Sequence, residues 1–310
     1  MRRSDALEAF GKSYTRRMPE EEAPAVDGAR LEAEVRHLFE FADERRRAPL
    51  AIRVFDPSFE SSGYEAPGTV VEIVIDDMPF LIDSVTSRIG SLGHTIVRHH
   101  HPVVGTTRDS SGALVGIGPG RDADHRESIQ HYELAETLTG GQQADLESSL
   151  LRTLEEVTAT VRDFEPMRFA VRRMAHYVFE DGAAFDPADV DEAVAFLEWL
   201  LDANFILLGY REYQIVDEGD GPAIVTDPDS GYGILADGAT SRFAAPVPLA
   251  SLPKDLRERY EGGRQLVISK TNSQSTIHRD ARMDYVGVRR VYPDGSPKGE
   301  ARLVGAERPG

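Results

Sequence analysis

A strand that turns directly into a helix constrains this chain more than any other feature. Thr69-Val70-Val71-Glu72-Ile73-Val74-Ile75 is a β-branched run suited to a half-buried strand. It breaks at Asp76-Asp77-Met78-Pro79. Leu81, Val85, Ile89 and Leu92 then recur at helical spacing until Gly93 supplies a C′ glycine. Thr95 to Thr107 reads as a returning strand, Arg108 to Gly112 as a turn, and Ala113 to Ile117 as a further short strand. After a polar loop, Ser128 to Leu134 alternates like an edge strand, and Leu146, Leu150, Leu154, Val157 and Val161 mark a long helix over Ala144 to Phe164. The order β-α-β-β-α predicts an α+β, ferredoxin-like unit of the βαββαβ kind, with helices on one face of an antiparallel sheet.

Around this unit the patterns are simpler. Leu7, Phe10 and Tyr14 predict an opening helix after Ser4, and Pro19-Glu20-Glu21-Glu22 interrupts it. Ala29 to Arg47 is a second amphipathic helix whose last arginines suit its C-terminal end. Leu50 to Phe55 is a short strand. Met167 to Phe179 continues as helix, and Gly182 to Pro187 marks a boundary. Asp186 as N-cap and Pro187 at N1 start another helix. Strands are expected over Phe205–Val216, Gln265–Ser269, Thr276–His278 and Tyr285–Tyr292. The resulting division is a helical segment over 1–48, a first domain over 49–182 and a second α+β, hairpin-rich domain over 183–310, expected to be truncated at its C-terminus.

Charge excludes several partners. Thirty-five Lys and Arg against 53 Asp and Glu leave a net charge of −18, which repels nucleic acid and anionic membranes. No cysteine is present, so thiolate chemistry, disulfides and Cys-type zinc sites are excluded. No apolar run reaches the ~20 residues of a membrane span, and no secretory leader is readable. The expected address is the cytoplasm.

Four motifs invite chemistry and have plainer readings. Gly116-Ile117-Gly118-Pro119-Gly120 lacks the third glycine and the following helix of a dinucleotide turn, so it reads as a loop. In His99-His100-His101 only the outer pair share a strand face, too few ligands for a zinc site, and no metal is expected. Asp76 and Asp77 precede a helix and read as caps for its free N–H groups. Their functional alternative is an anion or amino-acid site, in which helix amides take a carboxylate and an Asp takes the ammonium. Ser269, Lys270, Asn272, Ser275, His278 and Arg279 form a dense polar cluster, but no spacing orders a nucleophile and a base, and an interface is the plainer reading. No catalytic residue is assigned.

The chain resembles a known family. Asp77-Met78-Pro79-Phe80-Leu81-Ile82-Asp83-Ser84-Val85, with Gly93 and His101-Pro102-Val103, looks like the amino-terminal region of the large NAD-specific glutamate dehydrogenases of bacteria. Asn204 to Tyr213, Asp227 to Leu235, Ser269 to Arg279 and Asp284 to Val288 follow in the same order. Thr69 to Ile96 is also similar to ACT domains, small amino-acid-binding regulatory modules, through Asp77, Pro79, Leu81, Gly93 and Ile96. Many ligand-binding ACT domains carry glycine where this chain has Phe80. The resemblance implies an ACT-type first domain, an ACT-like or PAS-like second one, and an amino-acid site at Asp76, Asp77, Met78, Pro79, Phe80, Leu81 and Ser84. It implies a regulatory and assembly role in an enzyme that deaminates glutamate with NAD, with no cofactor in this segment. The implied partners are the rest of the polypeptide, further copies of it, and an amino-acid effector. Two alternatives stand beside this: a structural oligomerisation module without ligand, and a self-sufficient enzyme using the Ser269–Arg279 cluster.

Overall fold

The computed structural model describes residues 3–16, 27–217, 219 and 221–308. The Pro19–Glu22 interruption lies outside them. The chain separates into two compact units, Met1–Leu154 and Glu155–Gly310. The division therefore falls inside a helix rather than at Gly182–Pro187.

The first unit contains α1 (Arg3–Thr15), α2 (Gly28–Glu44), β1 (Leu50–Phe55), β2 (Val70–Asp76), α3 (Leu81–Ser91), β3 (Ile96–His100), β4 (Val103–Arg108), β5 (Leu114–Pro119), β6 (Arg126–Leu134) and the start of α4 (Gly140–Arg162). The strands form one antiparallel sheet in the order β1-β2-β6-β4-β5, with β3 also on β6. Three expectations change here. The run from Thr95 to Thr107 is two strands, broken at His101-Pro102, because proline has no N–H for the ladder. Ser128 to Leu134 is no edge: β6 pairs with β2 on one side and with β3 and β4 on the other, and from Glu127 to Leu134 it is buried throughout. The closing strand of a βαββαβ unit does not follow the second helix. Its place beside β2 is taken by β1, from before the unit.

Strand alternation sorts side chains onto two faces. Val74 and Ile129, with Val104 and Leu114, pack beneath α1 and α2 through Phe10, Tyr14, Leu38 and Phe39. On the opposite face the Tyr132 phenol lies near Asp83 of α3. There α3 and α4 meet through Arg88 Nε, which donates to Ser149 Oγ at 2.6 Å. Gly93 ends α3 with φ +86°, as the sequence predicts.

The second unit holds the end of α4, then α5 (Phe164–Glu180), α6 (Pro187–Trp199), β7 (Phe205–Asp217), β8 (Pro222–Thr226), β9 (Tyr232–Gly233), β10 (Val247–Pro248), α7 (Lys254–Glu261), β11 (Leu266–Gln274), β12 (Arg282–Val291) and β13 (Pro297–Glu307). The sheet order is β10-β8-β7-β13-β12-β11, with β9 on β7. Met174, Leu197, Tyr210, Val288 and Leu303 fill one face under α5 and α6, and Tyr213, Phe243, Leu252 and Tyr260 fill the other. Asp186 caps α6 by accepting from the Ala188 N–H at 2.8 Å, with Pro187 behind it. Thr276 to His278 is not a strand. Ser275 bonds locally to Ile277, and His278 takes φ +66°, which leaves the ladder. Strand β13, unassigned in the sequence reading, lies between β7 and β12.

Candidate functional site

Helix α2 turns a polar edge toward the sheet. Glu34 lies on that edge, fully buried, with Arg30 a turn before it and His37 a turn after. Below them Glu72 of β2 stands directly opposite His131 of β6, and Glu133 follows on the same face. Arg53 of β1 and Arg98 of β3 close the ring. Arg98 grips Glu34 with both Nη atoms at 2.8 Å, and its Nη1 also donates to Glu133 at 2.5 Å. Arg53 Nε donates to Glu72 at 2.7 Å, Arg30 donates to Glu133, and the Tyr14 hydroxyl of α1 donates to Glu34 at 2.6 Å. His131 sits between carboxylates, with Nδ1 3.0 Å from Glu72 and Nε2 3.4 Å from Glu133.

The energetics follow from burial and pairing. Burial alone pushes the His131 imidazole toward neutrality, but Glu34, Glu133 and Glu72 outweigh it and hold the ring charged up to about 9. Burial raises the Glu133 carboxyl, yet His131, Arg98 and Arg30 bring it down to about 2. Glu34 is likewise lowered, because His131, Arg98 and Tyr14 overcome its burial. The ring is thus three carboxylates against three guanidiniums and one imidazolium. Ligand atoms of Glu34, His131 and Glu133 lie within 4.8 Å of one another, the spacing a metal needs. Arg98 already bridges the two carboxylates and His131 is a cation, so a divalent ion does not fit.

A second cluster joins the C-terminal end of α2 to the same sheet face. Arg108 holds the buried Glu127 bidentately at 2.7 and 2.8 Å, and Thr106 Oγ1 donates to it at 2.9 Å. Arg45 donates to Asp76 at 2.7 Å and lies 3.4 Å from Glu127. His125, half exposed, stands 3.5 Å from both Asp76 and Glu127 at the rim of an open groove along the β4–β5 hairpin. Arg45 and Arg108 occupy the place a metal would take among Asp76, His125 and Glu127.

The turn singled out in the sequence divides. Asp76 points to the α2 face, toward Arg45, and is separated from the start of α3. Asp77 stays at the turn, 3.5 Å from Arg126. Neither carboxylate caps α3: its N-cap is Phe80, with no side-chain capping bond. Phe80 takes φ +72°, the left-handed conformation that glycine adopts freely. Leu81 and Ser84 are buried, which leaves Asp77, Met78, Pro79 and Phe80 accessible. Of the polar cluster in the second half, Lys270 pairs with Asp284 at 2.6 Å, Ser275 donates to the Ile277 carbonyl at 2.9 Å, and Arg279 donates to the Glu307 carbonyl at 3.0 Å. Ser269 and Asn272 lie along β11. These bonds tie β11 to β12 and hold the Ser275–Arg279 loop against the end of β13. Of the histidine run, His100 points inward against the Tyr14 ring, and His99 and His101 stack outside with ring centres 5.7 Å apart. Gly116–Pro119 belongs to β5 and Gly120 starts a short 3₁₀ turn, so the glycines open no helix.

The sequence reading missed both charge clusters. Their signals were cross-strand pairings, Glu72 against His131 and Asp76 against Glu127, readable only once the register of two distant strands is known.

The antiparallel sheet with α3 and α4 on one face defines the first unit as an ACT-type α+β domain. A family description, "Glutamate dehydrogenase, ACT1 domain", matches residues 10–150. The NAD-specific glutamate dehydrogenase of Pseudomonas aeruginosa is 31% identical over 269 residues, covering 82% of this chain and 16% of the relative. That of Halomonas elongata is 31% identical over 262 residues with the same two shares, and that of Mycobacterium tuberculosis is 27% identical over 179 residues, covering 56% and 11%. Residues 10–150 thus match the ACT1 domain of glutamate dehydrogenases, and the chain is similar over most of its length to a region of NAD-specific members. It spans 16% of the length of the first two relatives.

Proposed function

We propose that this chain is the regulatory and assembly region of an NAD-dependent glutamate dehydrogenase, which converts L-glutamate, NAD and water to 2-oxoglutarate, ammonium and NADH. The reading rests on one observation above the rest: similarity runs through 82% of this chain yet takes in only 16% of relatives that bear the enzyme's name. Chemistry then belongs to the rest of the polypeptide, which works in the cytoplasm, and this region associates with it and with further copies. An amino-acid effector binds at Asp77, Met78, Pro79 and Phe80, where the accessible turn leads into the N-terminus of α3 and an Asp precedes it in the chain. No helix among the described residues is long and apolar enough to cross a membrane.

The test uses the purified 310-residue chain. Supplied with glutamate and NAD it forms no NADH, and NADH formation overturns the assignment. In a melting screen of the common amino acids, an effector at ~100 times its dissociation constant stabilises the fold by about 2.7 kcal/mol. Asp77→Ala removes that rise, and any loss of baseline stability is read separately from the melting temperature without effector. A flat screen reduces this region to assembly alone.

A further inference from the structure

One face of the second unit's sheet buries more positive charge than negative. Tyr285, Gly287 and Arg289 alternate along β12 on that face, with Arg302 opposite Gly287 and Glu300 opposite Arg289. Arg289 is 7% exposed and has no ion-pair partner among the described residues. Its Nη1 donates to the Gly263 carbonyl at 2.9 Å, its guanidinium lies 5.5 Å from the Phe185 ring centre, and its buried Nε has no partner. Burial alone pushes its pKa down, with no carboxylate to oppose it. The Tyr285 hydroxyl is also buried and unpartnered. Its ring is flanked by the guanidiniums of Arg259 and Arg302, at 5.4 and 5.2 Å. Glu300, the carboxylate at this place, is taken by the Tyr260 hydroxyl at 2.8 Å and by Arg302 at 3.2 Å.

A cavity lies among these groups, lined by Arg259, Tyr260, Val267, Gly287, Arg289 and Glu300. It leaves about 10 Å³ for the centre of a water-sized particle, enough for one water or one compact ion. Gly287 keeps it open, since a Cβ there would lie 2.6 Å from the Tyr285 hydroxyl and 2.7 Å from Glu300 Oε1. Glu300 balances Arg302, which leaves Arg289 and the more exposed Arg259 without counter-charge. A buried cation without one is costly, and a water fills the space without supplying the charge.

We infer that the cavity beneath α7, over β11, β12 and β13, binds a compact monovalent anion of halide size, held by Arg289 Nε and the Tyr285 hydroxyl. The melting temperature of the 310-residue chain in sodium chloride is compared with that in sodium gluconate, whose anion is too large to enter, at equal ionic strength and pH. The expected result is a saturable rise specific to chloride. Arg289→Gln abolishes that difference and, in gluconate, melts no lower than the parent because the unpaired buried charge is gone. Tyr285→Phe keeps the fold and raises the half-saturating chloride concentration several-fold. Crystals grown in bromide show an anomalous peak beside Arg289 Nε. Equal melting in the two salts, a chloride effect that survives Arg289→Gln, or a cavity without bromide overturns the assignment.

Discussion

His131 is fully buried and fully ionised at neutral pH, and this makes the first unit's stability depend on acidity from two sides. A histidine held up to about 9 from its ordinary 6.5 binds its proton more tightly folded than unfolded. Its contribution is complete below about 6.5 and is lost as pH rises through about 9. Glu133 acts with the opposite sign. Lowered from 4.5 to about 2, it contributes above 4.5 and loses that contribution as pH falls through 2. The charge ring is therefore strongest between about pH 4.5 and 6.5. Urea midpoints across pH should peak in that window, with an alkaline loss on the order of 3 kcal/mol from His131. His131→Gln should lower the peak and flatten the alkaline limb, because the titrating group is gone. An unchanged limb in the variant would assign the loss to another group.

Helix α3 shows what one element demands of its first residue. The turn from β2 requires a left-handed residue at position 80, and the chain places a phenylalanine there. Phe80→Gly and Phe80→Val both delete the ring, but only valine must bear the positive φ. Denaturant unfolding should find the valine variant less stable by about 1–2 kcal/mol. This residue also illustrates what was legible in the sequence. The helix itself, its Gly93 stop and the Asp186-Pro187 start of α6 were readable, because each depends on neighbours in the chain. The strain at Phe80 was signalled only by the resemblance, in which many ACT domains carry glycine at that position, and by nothing in the chain's own pattern. Strand β6 misled for a related reason: His131 and Glu133 alternate with Tyr132 and Leu134 as a solvent-facing pair would, yet their partners arrive from α2, β2 and β3. A buried polar face and a wet one have the same period. The turn after β2 was readable as a turn, but Asp76 leaves it for Arg45, a residue 31 positions away.

The charge ring lies wholly within the first unit, whereas the second has its own core of Met174, Leu197, Val288 and Leu303. A difference between the units follows. In scanning calorimetry, raising the pH from 6 to 9 should move the transition of the first unit to lower temperature and leave that of the second nearly in place. Hydrogen exchange read by mass spectrometry assigns each transition, through β6 peptides for the first unit and β13 peptides for the second. Equal shifts in both would mean that the units melt as one.

Burying ions where leucines would serve has a consequence for synthesis. Glu34 leaves the ribosome well before Arg98 and His131, which neutralise it, and Glu72, although Arg53 precedes it, still waits for His131. Until those arrive, the unfinished sheet presents ionised, hydrated side chains on the face that α2 will cover, and unpaired apolar patches on nascent chains are what invite aggregation. The groups that are expensive to enclose at the end thus keep the half-made domain dispersed while it waits for its last strand.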